Sequence, residues 1–419
     1  MVMTPPAGTE TASHLSVARP TRRMRVLIAT DTYPPDVNGA AYFTHRLATG
    51  LAGRGHDVHV VCASDRGPAR DERVNGVLLH RLRSASVLVH PTMRVAVPSR
   101  LDSLLSAVAP DVVHVQGHFI TGRAAISAAR RAGVPVVATN HFMPDNLFQF
   151  AHVPQRLRGI VGRLAWRDFG RVFARADHVT TPTPIAARLL AEQGFTRDVE
   201  AVSCGIDLTR FRPPARPKSH ARNLLGLPDR PTVLFVGRLD EEKRLEEAVR
   251  ALPLVRNVTD AQLALVGEGR CRQELEWLAA RIGVGEHVRF CGFVPDELIP
   301  EVYAAADVFC MPGVAELQSI ATLEAMATGL PVAAADAMAL PHLVRPGETG
   351  FLHRPGDVQA LARHLIELLT SDEKRAEMGR AARRIAMTHD HQASLARFED
   401  IYRSLSAARR TAAEEEAPL

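Results

Sequence analysis

Residues 24–212 alternate short, wholly apolar runs with longer stretches in which apolar residues recur every three or four positions. The first run contains Val26 to Ala29, and DVHVVCA, DVVHVQG and VPVVATNH follow it. Brief Val-rich and Ile-rich runs that are polar on neither face predict buried strands. The intervening YFTHRLATGLAGRGH, LDSLLSAVAP and GRAAISAARRAG carry helical spacing. Strands alternating with helices predict a parallel sheet covered on both faces. The pattern breaks in SCGIDLTRFRPPARPKSHARNLLGLPDR, whose prolines and basic residues predict an inter-domain linker over 213–230. A second series, PTVLFVG, AQLALVGEGR, HVRFCGFV, ADVFCMP and GLPVAAAD, predicts another doubly wound domain over 231–385. A helix follows over 386–407, with an acidic tail over 408–419. Two such α/β domains face each other across a cleft and bind ligands beyond the carboxyl ends of their strands.

Length agrees, since 419 residues exceed what one core usually supports. Residues 1–23 lack both periodicity and an apolar segment, and read as a disordered tail rather than a signal peptide. No stretch has the roughly 18 uncharged apolar residues of a membrane span. The five cysteines are scattered, without a C-x-x-C pair, and read as reduced thiols of a cytoplasmic protein. The net charge of +5 is unevenly spread: residues 1–219 hold 28 Lys and Arg against 16 Asp and Glu, and the remainder holds 23 against 30. A basic first half suits an anionic neighbour, or else an ordinary solvated surface. In 154–176, Arg alternates with Leu, Ile, Val, Trp166, Phe169 and Phe173 at helical spacing. Such a helix either rests on an anionic membrane or packs internally with its Trp and Phe in the core and its arginines outward.

Candidate chemistry gathers after the strands of the second series. Gly237 and Arg238 end one strand and Lys243 lies five residues beyond Arg238, so two cations can hold a diphosphate in the cleft. In PGVAELQSIATLEAMATGLPV, Glu316 and Glu324 flank a loop-to-helix transition with Ser319 at the N-cap position. The first-turn N–H groups from Ile320, beside Gln318 and Ser319, form an anion site, and the carboxylates accept hydroxyls on either side of it. Backbone groups near Phe293 and Val294, after the HVRFCG strand, are the expected contacts for the rest of such a ligand.

The G-R-x(4)-K segment, the E-x(7)-E segment and the G-L-P-V after it resemble glycosyltransferase family 4, retaining enzymes with two Rossmann-like domains of the glycosyltransferase B type. The resemblance spans nearly all of residues 24–407. It implies that Arg238 and Lys243 neutralise the donor's diphosphate, that Glu316 holds the sugar hydroxyls, and that Glu324 holds the ribose. It also implies that Gly39 lets the backbone approach the phosphates, that His141 contacts the sugar, and that the last helix returns to the first domain. Two positions depart from the family pattern. Asn38-Gly39 stands where Gly-Gly is usual, a pair that still permits a positive φ. Glu316-Leu317-Gln318-Ser319 replaces E-G-F-G, and Gln318 is similar to the subgroup that glucosylates diacylglycerol.

These readings imply transfer of glucose or mannose from a UDP- or GDP-sugar to a hydroxyl. The acceptor expected is a membrane lipid such as diacylglycerol or a phosphatidylinositol derivative, reached on the inner face of the plasma membrane. Inositol phosphate or a soluble glycan is the alternative. No cofactor or metal is expected: D-x-D is absent, and His114 and His118 do not share a helix face. Nucleic acid is not an expected partner. The rival classes are a non-catalytic nucleotide-sugar binder and an NAD-dependent oxidoreductase, the latter disfavoured because Gly267 and Gly269 lack a dinucleotide fingerprint and read as a tight turn.

Overall fold

A computed structural model describes residues 22–36, 38–87, 90–141 and 155–415. The expected tail over 1–23 and the end of the acidic tail therefore lie largely outside the described residues.

The first sheet is built from β1 (Arg25–Ala29), β2 (Asp57–Ala63), β3 (Arg70–Val74) and β4 (Val77–Leu82). A separate antiparallel pair follows, β5 (Ser84–Val87) and β6 (His90–Ala96). The sheet resumes with β7 (Val112–Val115), β8 (Val136–Thr139), β9 (His178–Thr181) and β10 (Glu200–Ala201). Its order is β10-β9-β8-β7-β1-β2-β4-β3, parallel except at edge strand β3. The second sheet holds β11 (Thr232–Val236), β12 (Gln262–Val266), β13 (Val288–Gly292), β14 (Val308–Met311), β15 (Val332–Ala335) and β16 (Gly350–His353). Its order is β13-β12-β11-β14-β15-β16, parallel throughout. Wholly apolar strands fit because apolar side chains pack on both faces of each sheet. Strand order reverses between β1 and β7, and again between β11 and β14, which puts a crevice at the carboxyl ends of each pair.

Two boundaries differ from the sequence reading. Segment 213–230 is part of the second domain: it forms the helix Lys218–Leu224, and Ala221 and Leu227 join that domain's core. Arg222 there pairs with buried Asp307 at 2.7 Å, so its basic character serves an internal ion pair. The chain instead crosses between domains at Ser203–Ile206 and returns at Met387–His391, where Ile206 N donates to His389 O and His391 N to Ile206 O. The final helix, His391–Glu415, continues beyond residue 407. It lays Leu395, Phe398, Ile401 and Tyr402 into the first domain's core beside Leu47 and Val137. Among the described residues, no helix is long and apolar enough to cross a membrane.

Candidate active site

Strands β11 and β14 are neighbours, so the loops leaving their carboxyl ends meet. The first runs through Gly237 at φ +150 to a short 3-10 turn, Glu241–Lys243. The second runs from Gly313 to the helix Ile320–Ala327. Val314 N donates to Glu242 O at 3.0 Å, which locks the loops together, and Lys243 Nζ donates to Glu316 Oε1. Residues 73 positions apart thereby form one cation–carboxylate pair with little exposure. Arg238, half-buried, is held by Asp240 and by Glu242, the latter at 2.7 Å.

Ser319 occupies the N-cap position but does not cap; its Oγ accepts from the Thr322 hydroxyl at 2.8 Å. The first-turn N–H groups from Ile320 are therefore not capped by Ser319, and the helix dipole adds partial positive charge there. Glu324, a turn further on, is 6% exposed and accepts from the Tyr303 hydroxyl at 2.9 Å. Burial raises its carboxyl to about 7, against the opposing pull of the Tyr303 hydrogen bond and of Arg46 and Arg210.

Across the cleft, Asn38 caps the helix Gly39–Gly53 by accepting from Ala41 N at 2.9 Å. Asn38 has φ −155, so the pair is a cap on extended backbone and the positive φ allowed for it is not used. A Cβ on Gly39 would meet nothing within 4 Å, leaving that backbone open to close approach. His141 follows β8, its Nε2 2.8 Å from Gln116 Oε1 and its ring 4.7 Å from that of Phe43. Burial lowers His141 to about 4, which favours the neutral ring near pH 7.

Two regions of the chain match known families. "Glycosyltransferase Family 4" matches residues 37–210, and "Glycosyl transferases group 1" matches 218–385. A GDP-mannose-dependent alpha-mannosyltransferase of Mycolicibacterium smegmatis is 34% identical over 332 residues, covering 78% of this chain and 84% of the relative. The chain is a family 4 glycosyltransferase. A second relative from the same organism, a GDP-mannose-dependent alpha-(1-6)-phosphatidylinositol monomannoside mannosyltransferase, is 32% identical over 378 residues, 86% of this chain and 94% of that one. In fold, this glycosyltransferase is similar to sucrose-phosphate synthase from Thermosynechococcus elongatus, with a TM-score of 0.75 and 22% identity over 92% of this chain and all of that one.

Family membership removes the oxidoreductase reading, and the structure gives its glycines a packing role. A Cβ on Gly267 would lie 2.0 Å from Gly237 O, and one on Gly269 2.4 Å from the Leu239 backbone. These glycines let the turn after β12 pass close against the backbone on either side of Arg238. Of the histidines considered for a metal, His114 has both ring nitrogens 2.6 Å from hydroxyls, those of Tyr402 and Thr139. Val294 packs on the second domain's core beside exposed Phe293, just past β13.

In the glycosyltransferase Gln318 does not point where the sequence reading put it. It is 8% exposed and spends its amide on Ser203 and the Cys204 N–H. Sequence reasoning also missed Tyr303, Arg46, Arg210 and Gln116. Tyr42 and Arg46 are four apart on the first-domain helix that Asn38 begins, and their i, i+4 polar spacing was the available signal. Tyr303 and Arg210 carry none, because they reach Glu324 only through the fold.

Proposed function

We propose that this enzyme moves glucose or mannose from a UDP- or GDP-sugar to the hydroxyl of a membrane lipid, with retention at the anomeric carbon and without a metal. The observation that carries the reading is the Lys243–Glu316 pair beside the uncapped start of the helix Ile320–Ala327. A diphosphate there would meet Lys243, Arg238 and free N–H groups, while Glu316 accepts the sugar hydroxyls and Glu324 those of the ribose. The acceptor oxygen attacks the anomeric carbon from the face that the nucleotide leaves. The bond to the diphosphate oxygen breaks, and the departing phosphate takes the acceptor's proton. His141 and Gln116 contact the sugar from the first domain, and the backbone near Val294 meets the base. Three cationic or N–H donors aimed at the leaving group stabilise the charge that grows on it.

The lipid acceptor is supported by the helix Gln155–Phe173. Its Trp166, Phe169 and Phe173 lie in the first domain's core, so the aromatics are not its outward face. Leu157, Ile160 and Leu164 are 49%, 51% and 60% exposed and share one stripe, with Arg156, Arg163 and Arg167 exposed beside them. An apolar stripe flanked by arginines fits an anionic bilayer surface, which is the inner face of the plasma membrane if the protein works in the cytoplasm. The relative acting on a phosphatidylinositol monomannoside supports the same choice.

Thermal unfolding with UDP, GDP and ADP, each with and without EDTA, tests the donor side. One diphosphate should stabilise the protein by about 2.7 kcal/mol at 100 times its Kd, whether or not EDTA is present. Transfer from the matching sugar to lipid vesicles should give the α-anomer by NMR. Stabilisation by none of the three would sink the donor reading. Turnover lost in EDTA and restored by a divalent ion would sink the metal-free one.

A further inference from the structure

The loop carrying Glu316 is fastened to the first domain and to the hinge. Leu317 is buried among first-domain side chains, and its carbonyl accepts from the Thr183 hydroxyl at 2.9 Å. Gln318 sits against the two places where the chain passes between domains. Its Oε1 accepts from Cys204 N at 2.7 Å, and its Nε2 donates to Ser203 Oγ at 2.9 Å. The Ser203 oxygen also accepts from Gly205 N at 3.1 Å, and its hydroxyl donates to His389 Nδ1 at 2.9 Å. Burial holds His389 at about 4, so the ring is neutral and its Nδ1 lone pair can accept. Both chain crossings, Ser203–Ile206 and Met387–His391, therefore end on one amide. Gly205, at φ +67, is what lets them run side by side: a Cβ there would lie 2.6 Å from His391 Cα.

We propose that Gln318 is a positioning residue that couples the angle between the domains to the placement of Glu316. The coupling follows from covalent distance, because Gln318 is two residues from Glu316 and one from the N-cap of the helix Ile320–Ala327. Rotation about the crossings either breaks the buried amide contacts or drags the loop with them. A buried polar network whose members satisfy one another has one preferred arrangement, so the loop geometry that serves the sugar goes with one domain angle. A glycine-rich loop has no side chain with which to make this connection. The proposal rests on the donor-site reading above.

The test compares Gln318→Leu and Ser203→Ala with the wild type, in the full chain. UDP and GDP affinities are measured by titration, turnover by steady-state kinetics, and donor-induced compaction by small-angle scattering. Gln318→Leu should lower kcat tenfold or more, leave the affinity of the bound nucleotide within threefold, and reduce the compaction. Ser203→Ala, which touches no ligand site, should move kcat and compaction in the same direction by a smaller factor. Wild-type kcat in Gln318→Leu overturns the proposal. So does wild-type behaviour of Ser203→Ala, which would make Gln318 a direct donor contact or a packing residue only; if Gln318→Leu does not fold, Ser203→Ala decides alone. Full turnover in Lys243→Ala, by contrast, overturns the donor-site reading itself and the proposal with it.

Discussion

Lys243 and Glu316 neutralise each other across two loops, and each holds the other's side chain in one rotamer. On the proposed donor site, a lysine so placed would meet the diphosphate with little left to reorganise, which is the condition for electrostatic stabilisation of a leaving group. Lys243→Ala should lower kcat by about 10²- to 10³-fold, measured as transfer at saturating acceptor. Glu324 sets a different dependence. Its folded-state pKa of about 7 lies above the ordinary value of 4.5, so ionising it in the fold costs stability progressively from about pH 4.5 to about 7. Ribose hydroxyls held there would donate far more strongly to the ionised form, since a protonated carboxyl keeps only part of its acceptor capacity. Nucleotide affinity should therefore rise with pH below 7, approaching about tenfold per unit, and level off above it. Calorimetric titration across pH 5.5–8.5 measures this, and Glu324→Gln should be flat. Tyr303→Phe removes a hydrogen bond that pulls the pKa down, so its curve should be displaced to higher pH.

At the scale of elements, the helix Gln155–Phe173 divides its labour along its length. Its second half buries Trp166, Phe169 and Phe173, and its first half exposes Leu157, Ile160 and Leu164. Replacing those three by Ser should leave the melting temperature nearly unchanged, since little core packing is lost. Sedimentation with vesicles rich in anionic lipid should fall at least tenfold, and the binding that remains should depend on salt through the arginines. Unchanged sedimentation would remove the membrane reading. Amphipathic spacing was legible for this helix in the sequence. The internal-packing alternative, with Trp166, Phe169 and Phe173 in the core and Arg outward, is the one the structure shows; the outward stripe of Leu157, Ile160 and Leu164 was not legible. Short β-branched runs made the parallel strands legible as well. The strands Arg70–Val74 and Val77–Leu82 were missed because the charges of the first, RDERV, belong to a sheet edge that faces water.

At the scale of the whole molecule, the last helix joins the ends of the chain. Phe398 is fully buried in the first domain's core, and Tyr402 hydrogen-bonds His114 at 2.6 Å. Phe398→Ala should destabilise the first domain by about 3–5 kcal/mol, seen in urea unfolding, although it lies roughly 200 residues after the first domain's last strand. A transition confined to the second domain would contradict this placement. Both chain crossings lie side by side and are bonded to each other, so one compact double crossing rather than a long linker joins the domains. The Pro-rich segment 213–230 suggested such a linker by composition. Its Arg222 and Ala221 are instead committed to Asp307 and to the second domain's core.

By itself the sequence determined the strand–helix alternation, two doubly wound domains, the two loops that hold Arg238, Lys243 and Glu316, and the helix that carries Glu324. Those features are local: apolar period, turn residues and charges within a few positions of a strand end. Tertiary structure alone decided that Lys243 meets Glu316, that Tyr303 and Arg46 surround Glu324, and that Gln318 serves the hinge. These pairs are separated by tens to hundreds of residues, and strand order brings them together. Spacing along the chain carries no record of that order.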